Sequence, residues 1–122
     1  MKRLLGLLLV MGIVGCGDPV DKLEQFGAKI ERNEQEEVIA VSLHNTQITD
    51  VGLAHLKRHL KRLPNLMLLD LRNTQITDAG LVHLKGMTNL LLINVIDTQV
   101  TPAGYLELQK ALPYCEIYHG PS

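Results

Sequence analysis

The sequence has few cysteines, no excess of positive charge and no apolar run long enough to span a membrane. Two cysteines, Cys16 and Cys115, are too few for the disulfide framework of a small secreted scaffold. Twelve basic and thirteen acidic side chains give a formal charge of −1, which argues against nucleic-acid binding. The apolar run at 4–14 has eleven residues, whereas a membrane-spanning helix needs about 20. A chain of 122 residues has room for one domain.

The first fifteen residues have the features of an export signal. Lys2 and Arg3 precede the apolar run, which has the length of the hydrophobic centre of a secretory signal. The run ends in the peptide IVGC, and this ending resembles the lipobox of bacterial lipoproteins. The resemblance implies that the leader 1–15 is removed and that Cys16 is lipidated. Acyl chains, at about 0.8 kcal/mol per buried CH₂, then hold the protein at a membrane. The alternatives are an ordinary signal peptide or a buried helix in which Cys16 is incidental.

Three copies of one pattern occupy the middle of the chain, and they begin at Val38, Leu66 and Leu90. Each has aliphatic residues at fixed spacing, followed by the peptide NTQITD or the related DTQVTP. The copies begin 28 and 24 residues apart, and a shortened fourth copy begins 22 residues later at Leu112. The pattern resembles leucine-rich repeats of the ITDxGL subtype over about 38–118. The resemblance implies an α/β solenoid of three full coils plus a partial fourth strand, with a short parallel sheet on the concave side and helices on the convex side.

The repeated polar residues are predicted to serve the backbone. The threonines at the strand exits are predicted to satisfy backbone groups there: Thr46, Thr74 and Thr98. Pro102 aligns with Asp50 and Asp78, and proline is favoured at the first helical position. The preceding residues are therefore predicted to cap the helices: Thr49, Thr77 and Thr101. Negative charge at Asp50 and Asp78 favours the helix dipole. The glycines of the first helical turn are predicted to allow close packing: Gly52, Gly80 and Gly104.

The segment before the repeats is predicted to be a capping helix over about 19–32. An apolar stripe recurs there at helical spacing: Val20, Leu23, Phe26 and Ile30. Such a helix would cover the exposed end of the repeat stack. The predicted organisation is thus a lipidated N-terminus and capping helix at 16–37, followed by the repeat domain at 38–122. The alternative is a solvated tether.

The concave face is the predicted partner-binding site, because the resemblance implies that partners bind there. Strand alternation assigns its residues: Ser42, His44, Leu68, Asp70, Arg72, Leu92, Asn94, Ile96, Tyr114, Glu116 and Tyr118. One column across the strands is predicted to be apolar and exposed: Ala40, Leu68, Leu92 and Tyr114. The alternative is that this column is small, scattered or covered by a neighbouring segment.

No catalytic group is predicted. Ser42 and His44 share one face, but they lie about 7 Å apart along the strand. Asp70 aligns beside Ser42 rather than beside His44, which is the wrong order for an aspartate that orients an imidazole. The sequence has no glycine-rich nucleophile elbow.

No metal or cofactor is predicted either. His55 and His59 are four residues apart on a helix, a spacing that can bind metal. No third ligand is near them in the sequence, and the basic residues that surround them oppose a cation. His83 repeats His55 in the next copy, which indicates a structural position on the helix.

The peptide KRHLKRL at 57–63 is the one dense basic run. It is predicted either to contact anionic phospholipid or envelope polymer, or to be a solvated helix face.

These observations together predict a membrane-anchored, non-catalytic protein-binding module at the cell membrane or outer membrane, facing the periplasm or the exterior. Its partner is expected to be a protein, with an envelope polysaccharide as the other possibility. The alternative function is a structural or assembly component of the cell envelope with no independent ligand.

Overall fold

The computed structural model describes residues 18–120. In chain order its elements are α1 (Pro19–Gln25), β1 (Lys29–Arg32), β2 (Val38–Ser42), α2 (Asp50–Lys61), β3 (Leu68–Asp70), α3 (Asp78–Leu81) continued by a 3₁₀ turn (Val82–Leu84), β4 (Leu92–Asn94), α4 (Pro102–Ala111) and β5 (Glu116–Tyr118). The predicted α/β class is confirmed, because the five strands form one mostly parallel sheet and helices alternate with them.

The sheet has its strands in chain order, β1-β2-β3-β4-β5. Strand β1 pairs antiparallel with β2, and each later strand pairs parallel with the one before it. Parallel neighbours require a crossover connection, and α2, α3 and α4 lie in the three crossovers. One row of paired residues runs across the parallel strands: Val41, Leu69, Ile93 and Ile117.

The core lies on one face of this sheet. Odd-numbered residues of the parallel strands join helix leucines in a single buried cluster, which includes Val41, Leu43, Leu53, Leu56, Leu69, Leu71, Leu81, Leu84, Ile93, Val95, Leu108 and Ile117. Leu43, Leu71 and Val95 are in equivalent places, since their N–H groups each donate to the next strand, at 2.8, 2.8 and 2.7 Å. A short strand buries one face only, so each copy of the pattern depends on its neighbours for its core.

The N-terminal helix is shorter than the sequence predicted, because Gly27 ends it. Helix α1 stops at Gln25, and Gly27 adopts a φ of +90°. The Gly27 N–H donates to Glu24 O at 2.9 Å and the Ala28 N–H donates to Leu23 O at 3.2 Å, which is the Schellman pattern of a helix C-terminus. The prediction of a helix over 19–32 is therefore wrong in its second half. Val20 and Leu23 are nevertheless buried in the core.

The last four residues of the predicted helix, 29–32, form strand β1 instead. Ile30 pairs with Val41 and packs against the core cluster. The connection to β2 turns at Asn33, whose Oδ1 accepts from the N–H groups of Gln35 and Glu37 at 2.9 and 3.0 Å. Ile30 is the one partly buried residue of this strand, and the pairing register is irregular between Glu31 and Arg32. The first parallel strand is thus covered by an antiparallel hairpin partner.

The other end of the sheet is closed by aromatic and amide contacts. Tyr105 of α4 stands where α2 and α3 have leucine, and His119 stacks on its ring with centroids 3.7 Å apart. Gln109 donates through Nε2 to Leu112 O at 3.0 Å and to Cys115 O at 2.7 Å. The Gln109 bonds hold the short loop between α4 and β5, and the stacked rings join α4 to the residue after β5.

Candidate functional site

The chain leaves each parallel strand through the same turn. Its first residue has a left-handed backbone, which asparagine and aspartate tolerate better than other non-glycine residues: Asn45 at φ +62°, Asn73 at +53° and Asp97 at +58°. The next residue is the predicted threonine, and its hydroxyl donates to a carbonyl three residues back. The bonds are Thr46 to Leu43 at 2.6 Å, Thr74 to Leu71 at 2.8 Å and Thr98 to Val95 at 2.6 Å. The prediction that these threonines satisfy backbone groups is confirmed.

The predicted helix caps are also confirmed. Thr49 accepts from the N–H of Gly52 at 3.3 Å, and Thr77 accepts from the N–H of Ala79 at 3.2 Å. Thr101 accepts from the N–H of Gly104 at 3.3 Å. Each cap satisfies one of the N–H groups that a helix start leaves without a partner.

The aspartates at the helix starts link successive repeats, a role that the sequence analysis missed. Asp50 accepts from the Thr77 N–H at 2.8 Å and from the Thr77 hydroxyl at 2.5 Å. Asp78 accepts from Thr101 in the same way, at 2.7 and 2.5 Å. We refer to these bonds as the Asp–Thr ladder. The repetition of TD at a fixed place was its only signal in the sequence.

The ladder explains two of the three glycines of the first helical turn. A Cβ atom on Gly80 would overlap Oδ1 of Asp50, and a Cβ atom on Gly104 would overlap Oδ1 of Asp78. Gly52 has no earlier repeat beside it, and a Cβ there would meet Ile48 Cγ1 at 3.0 Å instead. The predicted close packing is confirmed, and at two of the three glycines the neighbour is a carboxylate.

The face of the sheet opposite the core is the candidate site, and we call it the open face. Its first row is Ala40, Leu68, Leu92 and Glu116, and its second row is Ser42, Asp70, Asn94 and Tyr118. A third row beyond the strand ends is His44, Arg72 and Ile96, where the N–H of Asn45 donates to Arg72 O and the N–H of Asn73 to Ile96 O. The open face also includes Lys29 and Glu31 of β1, which pair with Ser42 and Ala40. The sequence analysis does not assign these two residues to the face, because it predicts a helix there.

Tyr114 does not lie on the open face, so its assignment there is wrong. Leu92 pairs with Glu116, two residues later than the sequence alignment predicted. The N–H of Cys115 donates to Leu112 O at 3.1 Å, just as that of Leu90 donates to Met87 O at 3.2 Å. Cys115 therefore replaces the leucine that enters the strand, and Tyr114 is left in the preceding loop with 92% of its surface exposed.

The predicted apolar column is correspondingly short. Ala40 is buried, and Leu68 and Leu92 are only partly exposed. Glu116 stands where Tyr114 was expected. The open face thus has two partly exposed leucines in its first row and polar side chains in its second.

A bidentate ion pair lies at the centre of the open face. Arg72 Nη2 lies 2.7 Å from Asp70 Oδ2, and Arg72 Nε lies 3.0 Å from Asp70 Oδ1. The Arg72 N–H also donates to Oδ1 at 3.1 Å. Burial by itself would raise the pKa of Asp70, but the hydrogen bonds and charge of Arg72, with the charge of His44, lower it below its ordinary value. The aspartate is therefore held as a carboxylate in a fixed orientation.

The three residues considered as a triad have other partners. The Ser42 hydroxyl oxygen accepts from the backbone N–H of His44 at 3.5 Å, and the Asp70 carboxylate is bound by Arg72. Asp70 thus orients a guanidinium and not an imidazole.

The histidine pair lies on α2, beside Lys22 and Phe26 of the N-terminal segment. His55 is exposed, and His59 is partly buried, with an Nδ1 that has no hydrogen-bond partner within residues 18–120. Burial lowers the pKa of His59, and the charges of Arg58, Arg62 and Lys22 lower it further. In this same part of the chain, no three His, Cys, Asp or Glu side chains are grouped so that they can hold a metal ion.

The leader 1–15 and the lipidation site Cys16 lie outside the described residues. From residue 18 to residue 120, none of the helices is both long enough and apolar enough to cross a membrane.

Comparison with known proteins gives no match, either to a protein-family model or to a curated protein.

Proposed function

We propose that this chain is a membrane-anchored, non-catalytic protein-binding module built as a short leucine-rich-repeat solenoid. In this interpretation the open face is the concave face of the solenoid, and it contacts a partner protein. Lipid on Cys16 holds the domain at the cell membrane or the outer membrane, facing the periplasm or the exterior. An envelope polysaccharide is the alternative partner.

The observation that carries the proposal is a contrast between two sets of equivalent positions. The turn threonines are identical in all three copies and make equivalent backbone bonds. The second row of the open face instead has four different polar side chains, Ser42, Asp70, Asn94 and Tyr118, of which Asp70 is buried and bound by Arg72. The backbone does not require this variety. Differing polar side chains at fixed spacing are what recognition of one irregular surface requires.

The ion pair at the centre supports binding on energetic grounds. Asp70 fixes Arg72 through Nε and Nη2, while 45% of the Arg72 side chain stays exposed. A side chain that is already ordered loses less entropy when a partner contacts it. Arginine and tyrosine are also the residues that contribute most often to binding hot spots, and Tyr118 lies in the second row with 44% of its surface exposed.

Site-specific photo-crosslinking in the native envelope tests the proposal. A photoreactive amino acid is introduced at Tyr118 on the open face and, as the matched control, at Leu106 on the helical side, which is 53% exposed. We expect one adduct of constant mass from position 118 and none from position 106. Arg72→Ala should abolish the adduct, and mass spectrometry of the adduct identifies the partner.

Two outcomes would count against this function. Adducts from position 106 alone would place the partner on the helices. Adducts only between copies of the chain would favour the structural alternative.

That alternative, a structural or assembly component of the cell envelope with no independent ligand, is favoured by apolar residues on the helical side. Val82 and Leu106 are 55% and 53% exposed, and both stand five residues after a cap threonine in successive repeats. Scattered exposed apolar residues are ordinary, but a column of them can mark a self-association surface. Sedimentation equilibrium of the unsubstituted chain and of the Val82→Lys/Leu106→Lys variant tests this alternative. Concentration-dependent assembly that the two substitutions abolish would support it.

A further inference from the structure

A basic groove lies between α1 and α2, outside the open face. It has a volume of about 760 Å³ and is open to solvent on one side. Its lining includes Lys22, Phe26, His55, Lys57, Arg58 and Lys61. Lys22 and Phe26 come from the N-terminal segment, and the other residues come from α2, so two separate elements form the groove.

The cations of the groove are not neutralised by carboxylates within residues 18–120. Among the residues that the structure describes, no aspartate or glutamate lines the groove. The ion pairs in this range join Arg72 to Asp70 and Lys110 to Glu107, and neither includes a groove residue. Burial lowers the pKa of His59, and the charges that lower it further are all positive, those of Arg58, Arg62 and Lys22. The groove therefore has a positive potential that nothing on its walls offsets.

The helix dipole accounts for only part of this cluster. Basic residues in the last turn of α2, among them Arg58 and Lys61, are favoured by the negative end of that dipole. Lys57 and Lys61 are nevertheless like charges at i and i+4, which repel each other. Lys22 adds a further cation on the other side of the groove, from the last turn of α1, where the dipole of that helix favours it. A bound anion would offset all of these charges together.

We propose that this groove binds a phosphate-bearing anion, with Lys22, Lys57, Arg58 and Lys61 as its cationic contacts. Lysine ammonium groups and an arginine guanidinium are the side chains that best complement the oxygens of a phosphate group. The phosphate has two possible sources, the headgroup of an anionic phospholipid or a soluble phosphate compound. Helix α1 begins at Pro19, three residues after Cys16, so lipid on Cys16 would bring the groove close to a headgroup layer. The case for a phospholipid headgroup depends on the proposed lipidation of Cys16, whereas binding of a soluble phosphate compound does not.

The experiment compares the full chain with two variants, and all three proteins carry Cys16→Ser so that no acyl chain contributes. The groove variant is Lys22→Gln/Arg58→Gln/Lys61→Gln. The matched control removes the same charge elsewhere: Arg32→Gln/Lys85→Gln/Lys110→Gln. One arm titrates inorganic phosphate and follows backbone amide shifts by NMR. The other arm measures sedimentation with vesicles of phosphatidylglycerol and phosphatidylcholine. Vesicles of pure phosphatidylcholine, run in parallel, report any binding by the apolar run at 4–14.

We expect the groove variant to bind the anionic vesicles about tenfold more weakly or worse, while the control variant stays close to the unsubstituted chain. Saturable phosphate shifts confined to α1 and α2 would identify a soluble ligand as the source, and vesicle binding without such shifts would identify a headgroup. Equal losses in the two variants would overturn the proposal, since they would show a net-charge effect only. Absence of binding in both arms would overturn it as well. Because the substituted side chains are exposed or partly exposed, circular dichroism is expected to show all three proteins folded.

Discussion

The carboxylate of Asp50 accepts two hydrogen bonds from Thr77, one from its backbone N–H and one from its hydroxyl, across the boundary between successive repeats. The same threonine caps its own helix by accepting from the N–H of Ala79. The bond that caps the helix and the bonds that join one copy of the pattern to the next therefore belong to one hydrogen-bond network. Asp78 and Thr101 form the equivalent network one repeat later.

Replacing Asp50 by alanine should lower the free energy of unfolding by more than the loss of its interaction with the helix dipole would. Hydrogen bonds to a charged group contribute about 1.5–3 kcal/mol, and the Thr77 N–H would lose its acceptor. The control is Asp21→Ala, which removes an exposed acid from the first turn of α1 and should cost about 0.3–1 kcal/mol. Urea unfolding measures both free energies. Equal losses in the two variants would mean that the Asp–Thr ladder contributes nothing beyond the dipole.

Replacing Gly104 by alanine should be destabilising, although helix propensity alone predicts a gain of about 1 kcal/mol. The new Cβ would overlap the Asp78 carboxylate. In an Asp78→Ala background the obstacle is gone, so Gly104→Ala should then be neutral or stabilising. This double-mutant cycle is measured by thermal or urea unfolding.

Gly86→Ala serves as the control for that cycle, because a Cβ on Gly86 would approach only the end of the Lys61 side chain, at 3.4 Å. We expect its effect to be small and independent of Asp78. A Gly104→Ala effect with the same sign and size in both backgrounds would show that the carboxylate is not the obstacle.

Local features of the repeats could be predicted from sequence because they depend on residues that are near one another in the chain. A threonine that caps its helix contacts a group two or three residues away, as Thr49 does with Gly52. The Asp–Thr ladder could not be found in this way. Its partners are 23 and 27 residues apart, and the spacing alone does not show which side chains of adjacent repeats meet.

The two errors at the ends of the chain have different physical causes. The capping helix was extended too far because the apolar stripe continues to Ile30, while the positive φ of Gly27 ends the helix earlier. A glycine at that place was a signal for a helix end. At the other end, the start of the fourth copy at Leu112 puts Tyr114 in the column of Leu92. The shorter loop before β5 puts Cys115 where the earlier repeats have leucine, and Tyr114 leaves the open face as a result.

Cys115 should react slowly with thiol reagents while the protein is folded. It is buried, and burial, with the charge of Glu116, raises the pKa of its thiol from 9.0 to about 11. Since the thiolate is the reactive form, iodoacetamide at pH 8 should modify Cys115 only at the rate at which the protein opens. The measurement uses Cys16→Ser protein, so that Cys115 is the sole thiol. Rapid modification under conditions where circular dichroism shows the folded state would contradict the burial.

The same pKa shift fixes the sign of a stability change at high pH. The pKa in the folded protein lies above that of an unfolded thiol, so the unfolded chain loses the proton first. The contribution of Cys115 is therefore complete below about pH 9 and is lost as the pH rises towards 11. Cys115→Ala should reduce the fall in stability over this interval.

Arg72→Gln should destabilise the protein at neutral pH and much less in acid. The variant keeps the burial of Asp70 but removes the guanidinium that lowers its pKa, and a buried polar group without its partner costs about 1–3 kcal/mol. In the unsubstituted protein the pKa of Asp70 lies below 3.8, so the carboxylate stabilises the fold above that pH and loses its effect as the pH falls. The difference in unfolding free energy between the two proteins should therefore be largest near pH 7 and should shrink below about pH 4. Lys110→Gln is the control, because the Lys110–Glu107 pair is exposed and contributes about 0–1 kcal/mol. An Arg72→Gln effect as small as that of the control, or one that does not change with pH, would show that Arg72 does not hold Asp70 as a carboxylate.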